Sequence, residues 1–148
     1  MSLSDRLSQE IKSAMLARDA DRLTPLRLLK SAIGYAQIER KTENLEEADV
    51  IAIIQKEIKK RRDSIDQFEK GGRPELAAKE KAEVAVLETF LPQPFSNEEL
   101  EQLVRATIQE IGATTKKEMG AVIKAVQAKA AGRADGKTIS ALVGKLLP

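Results

Sequence analysis

Residues 87–100, LETFLPQPFSNEEL, constrain this chain more than any other stretch. Pro92 and Pro94 each remove a backbone donor and bias the preceding residue away from helical angles, so a helix arriving from the N-terminal side stops there. Directly afterwards, Ser96 and Glu99 have the spacing of a capping box, in which hydroxyl and carboxylate satisfy orphan amides at a new helix start. The spacing predicts an N-terminal helical bundle over residues 1–92 and a C-terminal three-helix domain over residues 96–148. A tight turn inside one continuous bundle is the alternative reading of the same residues.

The side chains available decide how either unit can be built. Only 3% of the 148 residues are aromatic and none is Trp, so the 42% apolar content must form its core from Leu, Ile, Val and Ala, which favours helices over sheets. No strand alternation or internal repeat is visible, and the fold class expected is all-α. Cysteine and histidine are both absent. That removes disulfides, thiol nucleophiles, Cys/His zinc sites and every mechanism that relies on imidazole. No apolar run approaches the roughly 20 residues needed to span a bilayer, and the start, MSLSDRLSQE, is polar rather than a basic segment leading into an apolar one. These features predict a cytoplasmic protein with no membrane partner.

Along the chain, Ser2 is placed to cap a first helix with Leu3, Leu7, Ile11 and Met15 on one face. A second helix is predicted to start at Thr24-Pro25, since proline's missing amide is an orphan at the first helical position anyway. It buries Leu26, Leu29, Ile33 and Ala36, and Tyr35 is expected to pack with its hydroxyl at the rim. A long third helix over residues 46–70 carries Val50, Ile51, Ile54, Ile58, Ile65 and Phe68, with Arg61 in an apolar place. Gly71-Gly72 end it and Pro74 starts a fourth helix, whose Leu76, Val84, Leu87 and Leu91 pack back to complete a long hairpin. Beyond the prolines, Leu100, Leu103, Val104, Thr107, Ile108 and Ile111 form the cleanest amphipathic pattern, closed by Gly112. Thr115 and Glu118 repeat the capping-box spacing ahead of a sixth helix. Asp135 is placed to cap a seventh, with Ile139, Leu142, Val143 and Leu146 as its stripe.

The net charge of +2 hides an asymmetry. Residues 1–95 hold 17 basic and 17 acidic side chains, whereas past Gly112 only Glu118 and Asp135 oppose Lys116, Lys117, Lys124, Lys129, Arg133, Lys137 and Lys145. The positive field belongs to the C-terminal end. The run Lys59–Arg62 admits two readings, a nucleic-acid patch or a solvated face; Glu57, Asp63 and Asp66 stand four residues from Arg61, Lys59 and Arg62, the spacing of helix-surface ion pairs, and favour the second.

Residues 131–137, AGRADGK, join the last two helices. Gly132 and Gly136 permit left-handed or close-approach backbone, Asp135 caps the following helix, and a helix N-terminus presents amides and partial positive charge to anions. Flanked by Arg133 and Lys137, and with Lys124 and Lys129 on the preceding helix, the loop suits a polynucleotide phosphate; plain connection chemistry is the other reading. It is not a nucleotide-hydrolase phosphate loop, because the G-x-x-x-x-G-K-[ST] spacing is missing. No serine has a histidine partner, and the carboxylates lie among lysines, so no catalytic residue, metal or cofactor is predicted.

Five segments carry a family resemblance: LTPLRLLKSAI, QKEIKKRRDSIDQFEKGGR, ETFLPQPFSNEEL, MGAVIKAV and GRADGKTISALV. By them the chain resembles the YqeY-like proteins throughout its length. The part after the prolines is similar to the tail domain of the B subunit of the glutamyl/aspartyl-tRNA amidotransferase. Phe90 stands where the resemblance leads one to expect tyrosine. The resemblance implies a two-domain helical fold whose C-terminal domain, in the amidotransferase, contacts the elbow of tRNA, and it places Lys116, Lys117, Lys124, Lys129, Arg133 and Lys137 near RNA. The body that performs phosphorylation and amide transfer has no counterpart here. Three functions follow as expectations: a non-catalytic protein that binds tRNA or another structured RNA, an adaptor docking on an amidotransferase or other translation enzyme, and, weakest, a glutamine-dependent carbon–nitrogen ligase.

Overall fold

A computed structural model describes residues 1–148. It contains seven α-helices, one short 3-10 turn and no strand, an all-α chain that divides into two compact units, Met1–Leu91 and Pro92–Pro148.

In the first unit, α1 (Leu3–Leu16) and α2 (Ala20–Glu39) pack on each other, α3 (Glu47–Lys70) and α4 (Pro74–Glu88) form a hairpin, and α2 also packs on α4. Ser2 caps α1 through the amide of Asp5. The buried face of α1 is Leu7, Ile11 and Ala14, and the expected Met15 is exposed, because the helix turns its i+3 position inward at its last turn. The start of α2 differs from expectation. Asp19, whose carboxylate accepts from the Arg22 amide, caps the helix five residues ahead of Thr24. Pro25 therefore lies in the second turn, buried, where it has no amide to donate to the Asp21 carbonyl. Leu26, Leu29 and Ile33 are buried as the periodicity requires, but Tyr35 is 74% exposed. It falls on the opposite side of α2 from those three, so it faces water rather than the core.

The hairpin closes through Gly72 at φ +71°, with the Arg73 amide donating to the Phe68 carbonyl at 2.8 Å. Val50, Ile54 and Ile58 of α3 meet Val84 and Leu87 of α4 in the core. Phe90 is buried there too, under the guanidinium of Arg6 at 4.7 Å from its centroid, a place where a phenol hydroxyl would have to find a partner.

The second unit packs α5 (Asn97–Ile111), α6 (Met119–Ala130) and α7 (Gly136–Leu146) around Leu100, Val104, Val122, Val126, Ile139 and Val143. Ser96 and Glu99 form the reciprocal capping box, and Gly112, at φ +75°, ends α5 in the left-handed region. The second expected capping box does not form. Residues Lys116–Glu118 make a 3-10 turn, and the Glu118 carboxylate accepts from the amide of Thr114 rather than Thr115. A 3-10 turn has fewer residues per turn and a longer rise than an α-helical one, so the α-helical capping-box spacing does not carry over to it.

Candidate nucleic-acid interface

The 131–137 loop is built from its own backbone requirements. Ala131 (φ 47°) and Gly132 (φ 86°) take the left-handed turn that ends α6. Asp135 then caps α7, its Oδ1 accepting from the Thr138 amide at 2.7 Å. Gly136 begins the helix against the Gln127 side chain, whose Nε2 lies 3.0 Å from where a Cβ would stand. The N-terminus of α7 already carries the Asp135 carboxylate, so a phosphate approaching that end meets a negative charge as well as open amides.

The six cationic positions named from sequence fall into two groups. Lys116, Lys117, Lys124 and Lys137 are exposed and have no carboxylate within ion-pair distance, and Lys145 shares that condition. Lys129 and Arg133 are engaged. The Lys129 ammonium donates to the Glu110 carboxylate and reaches Thr107 Oγ1 at 3.4 Å, tying α6 to α5. Arg133 stacks its guanidinium on the Phe95 ring at 3.9 Å from the centroid, donates from Nε to the Gln93 carbonyl at 2.8 Å, and accepts at its own carbonyl from the Phe95 amide at 2.9 Å. Three contacts make it a latch that holds residues 93–95 to the loop. Its charge also reaches Glu99, whose carboxyl sits below the usual range mainly because the Ser96 amide donates to it, with Arg133 adding a smaller pull.

Angular position separates the group further. Lys124 and Lys129 are five residues apart on α6, about 140° around the axis at 3.6 residues per turn, so they project from different faces. Lys116 and Lys117 lie in the 3-10 turn ahead of α6. Lys137 stands on the side of α7 away from Ile139, about 160° from it by the same arithmetic.

Sequence reasoning missed Gln93, Phe95 and Glu110 as partners, and nothing local could have named them, since the Arg133–Gln93 bond spans 40 residues. The Glu57–Arg61 pair expected from spacing forms, and Arg61 does take the apolar place in the stripe, but the pair is not on a solvent face. Arg61 is 6% exposed: Nε donates to Glu83 Oε2 at 3.2 Å, and Nη1 donates to both Oε2 and the carbonyl of Glu57, each at 3.2 Å. Its neighbour Arg62 reaches across the hairpin to Glu88 at 2.8 Å. Beside this cluster Glu80 is pushed above the ordinary carboxyl range, first by burial and then by the Glu83 charge, with Arg61 and Lys79 opposing.

The protein is similar to several fungal proteins. It is 34% identical over 91 residues to an uncharacterized protein of Schizosaccharomyces pombe, covering 62% of this chain and 73% of that one. It is 35% identical over 85 residues to altered inheritance of mitochondria protein 41, mitochondrial, of Vanderwaltozyma polyspora, which covers 57% of this chain and 46% of the relative. The protein of the same name from Kluyveromyces lactis is 38% identical over 84 residues, 57% of this chain and 45% of the relative. The chain thus spans about half the length of these mitochondrial relatives. Their names overturn the expectation of a cytoplasmic protein: the absence of a helix long and apolar enough to cross a membrane, and of cysteine, is compatible with more than one compartment. The model of the Yqey-like protein family matches residues 4–147, through both units, and the chain belongs to that family.

Proposed function

We propose that this chain is a non-catalytic accessory protein that binds a structured RNA of the tRNA kind through its second unit, and that this unit is related to the tail domain of the tRNA-dependent amidotransferase B subunit. The observation that carries the reading is electrostatic. Lys116, Lys117, Lys124 and Lys137 project from one small three-helix unit and none of them is held in an ion pair, so each is available to a polyanion without breaking an existing bridge. Lys129 and Arg133 contribute field but are already bonded, and recruiting either to a phosphate would cost an existing contact. With one Tyr, three Phe and no Trp in the chain, stacking on splayed bases has little to work with, so recognition runs through backbone charge and shape. On the names of the yeast relatives, the setting proposed for this activity is mitochondrial.

The test is filter binding to tRNA, duplex DNA and single-stranded RNA at two salt concentrations. Four phosphate contacts correspond to a slope near −3.6 in log K against log salt on a duplex, or roughly a hundredfold loss of affinity from 50 to 200 mM. Replacing all four lysines with Ala should remove most of that slope. Binding that ignores salt, or that survives the fourfold change, counts against the reading. A glutamine-dependent transamidation by the purified chain would move it to the ligase class.

A further inference from the structure

Gly120 lies in the first turn of α6, exposed, and its backbone is not in the left-handed region. A Cβ built on it meets nothing within 4 Å, so neither packing nor backbone angle asks for glycine there. Glycine is the poorest helix former after proline, because it gives up the most chain freedom on ordering. The fold gains nothing from Gly120, and alanine would serve the helix better.

An open glycine alone does not name a ligand, since Gly34 of α2 is equally unobstructed. What distinguishes Gly120 is its surroundings. Lys116 and Lys117 stand in the 3-10 turn directly before it, exposed and outside any ion pair. Lys124 and Gln127, four and seven residues on, are exposed and share its side of α6, because those steps bring a helix back to within about 40° of the same direction. Gln127 in turn lies against the start of α7, its Nε2 3.0 Å from the place of a Cβ on Gly136, the residue before Lys137. Helix α6 itself holds no Asp or Glu. The two carboxylates nearest it in sequence are bound to backbone amides, Glu118 to that of Thr114 and Asp135 to that of Thr138.

We propose that Gly120 is the point where the sugar–phosphate backbone of the bound RNA passes closest to the protein. This rests on the RNA-binding reading above and adds to it a contact that has no charge of its own. A strand drawn to Lys116 and Lys117 on one side and Lys124 on the other crosses α6 at Gly120. A side chain there would stand in its path and hold the phosphates away from the ammonium groups, whereas glycine lets the strand approach the helix backbone. Contacts of this kind position an RNA by its backbone and shape without reading bases.

The experiment is filter binding of tRNA by the full chain at about 50 mM salt, with Gly120→Ala, Gly120→Leu and Gly120→Lys beside Gly34→Lys. Open space surrounds both glycines, so every variant should melt at or above the wild-type midpoint. Gly120→Lys decides the matter by its sign. If charge alone governed, one more cation on a basic surface would tighten binding; against a strand seated on the glycine it weakens it. Gly120→Leu and Gly120→Lys should each lose roughly tenfold in affinity, about what one phosphate contact is worth at that salt. Gly120→Ala should lose less, and Gly34→Lys nothing. Binding by Gly120→Lys as tight as the wild type, or tighter, overturns the proposal and leaves the RNA-binding reading standing. So does an equal loss in Gly34→Lys. A wild-type chain that binds no tRNA overturns both.

Discussion

Replacing Arg61 with methionine tests the account of the α3–α4 hairpin most directly. Arg61 and Glu83 are 6% and 8% exposed, and Glu57 is half-buried beside them, so the guanidinium neutralises carboxylates that water barely reaches. Removing it leaves Glu83 without its Nε donor and Glu57 without its Nη1 donor. Breaking a buried pair from one side costs about 3–5 kcal/mol, because the surviving charge stays buried and unpaired. Against a total stability of about 5–15 kcal/mol for an ordinary domain, that is a large fraction. For a unit of this size each kcal/mol moves the midpoint by about 4–8 °C, so the melting temperature should fall by roughly 12 °C or more. The double change Arg61→Met/Glu83→Leu removes both charges. It should recover most of the loss, since an apolar pair of similar volume is often as stable as the ion pair; Glu57 keeps Lys60, whose Nζ lies 3.6 Å away. Urea titration and thermal melts followed by far-UV circular dichroism measure both variants. A single variant within 1 kcal/mol of the wild type, taking 3 kcal/mol as the floor for a buried pair, or a double variant no better than the single, would refute the reasoning.

Arg133→Lys keeps the charge but loses the planar stack on Phe95 and the Nε bond to Gln93. It should speed hydrogen exchange at the Phe95 amide and leave the salt slope of RNA binding unchanged; a changed slope with normal protection would contradict the latch. Asp135→Ala should cost about 1 kcal/mol of stability by freeing the Thr138 amide, whereas Asp135→Asn keeps a capping oxygen, loses little, and binds tRNA more tightly because a negative charge beside Lys137 is gone. Glu80 and Glu99 should respond oppositely to acid. Glu80 is raised in the folded state, so that state holds more protons than the unfolded chain between the ordinary and the raised value, and stability falls as pH rises through that window. Glu80→Gln should therefore stabilise at neutral pH, with the gain vanishing in acid. Glu99 is lowered, so its contribution is present above the ordinary carboxyl range and fades as pH falls through the depressed value. Glu99→Gln should be destabilising at neutral pH and neutral in effect at low pH, as thermal melts at the two extremes will show.

Elements set by near neighbours in sequence were legible. The capping box at Ser96 and Glu99, the left-handed glycine at residue 112, the Asp135 cap and the alternation of buried positions on α5 all depend on groups within four residues of one another. Errors arose where a local signal had a rival. Thr24-Pro25 is a good helix start, yet Asp19 is also a good cap, and the helix begins at the earlier one and carries Pro25 inside it. The Thr115–Glu118 spacing fits a capping box on an α-helical rise and fails on a 3-10 one.

The electrostatics were less legible, for a reason that generalises within this chain. A count of charges along the sequence correctly places the positive excess past Gly112, because net charge needs no geometry. Whether a given cation is available depends on partners brought by packing: Glu110 for Lys129, 19 residues away, Gln93 and Phe95 for Arg133, and Glu83 for Arg61, 22 residues away. In each case the cation reaches a group on a different segment, which no i,i+4 rule can see. Lys116, Lys117, Lys124 and Lys137 are exposed and take part in no ion pair. On the proposed function, the first side chains to test against a phosphate are those left over after folding has used the others, and the four lysines named there, each worth about one phosphate, set the salt slope expected of them.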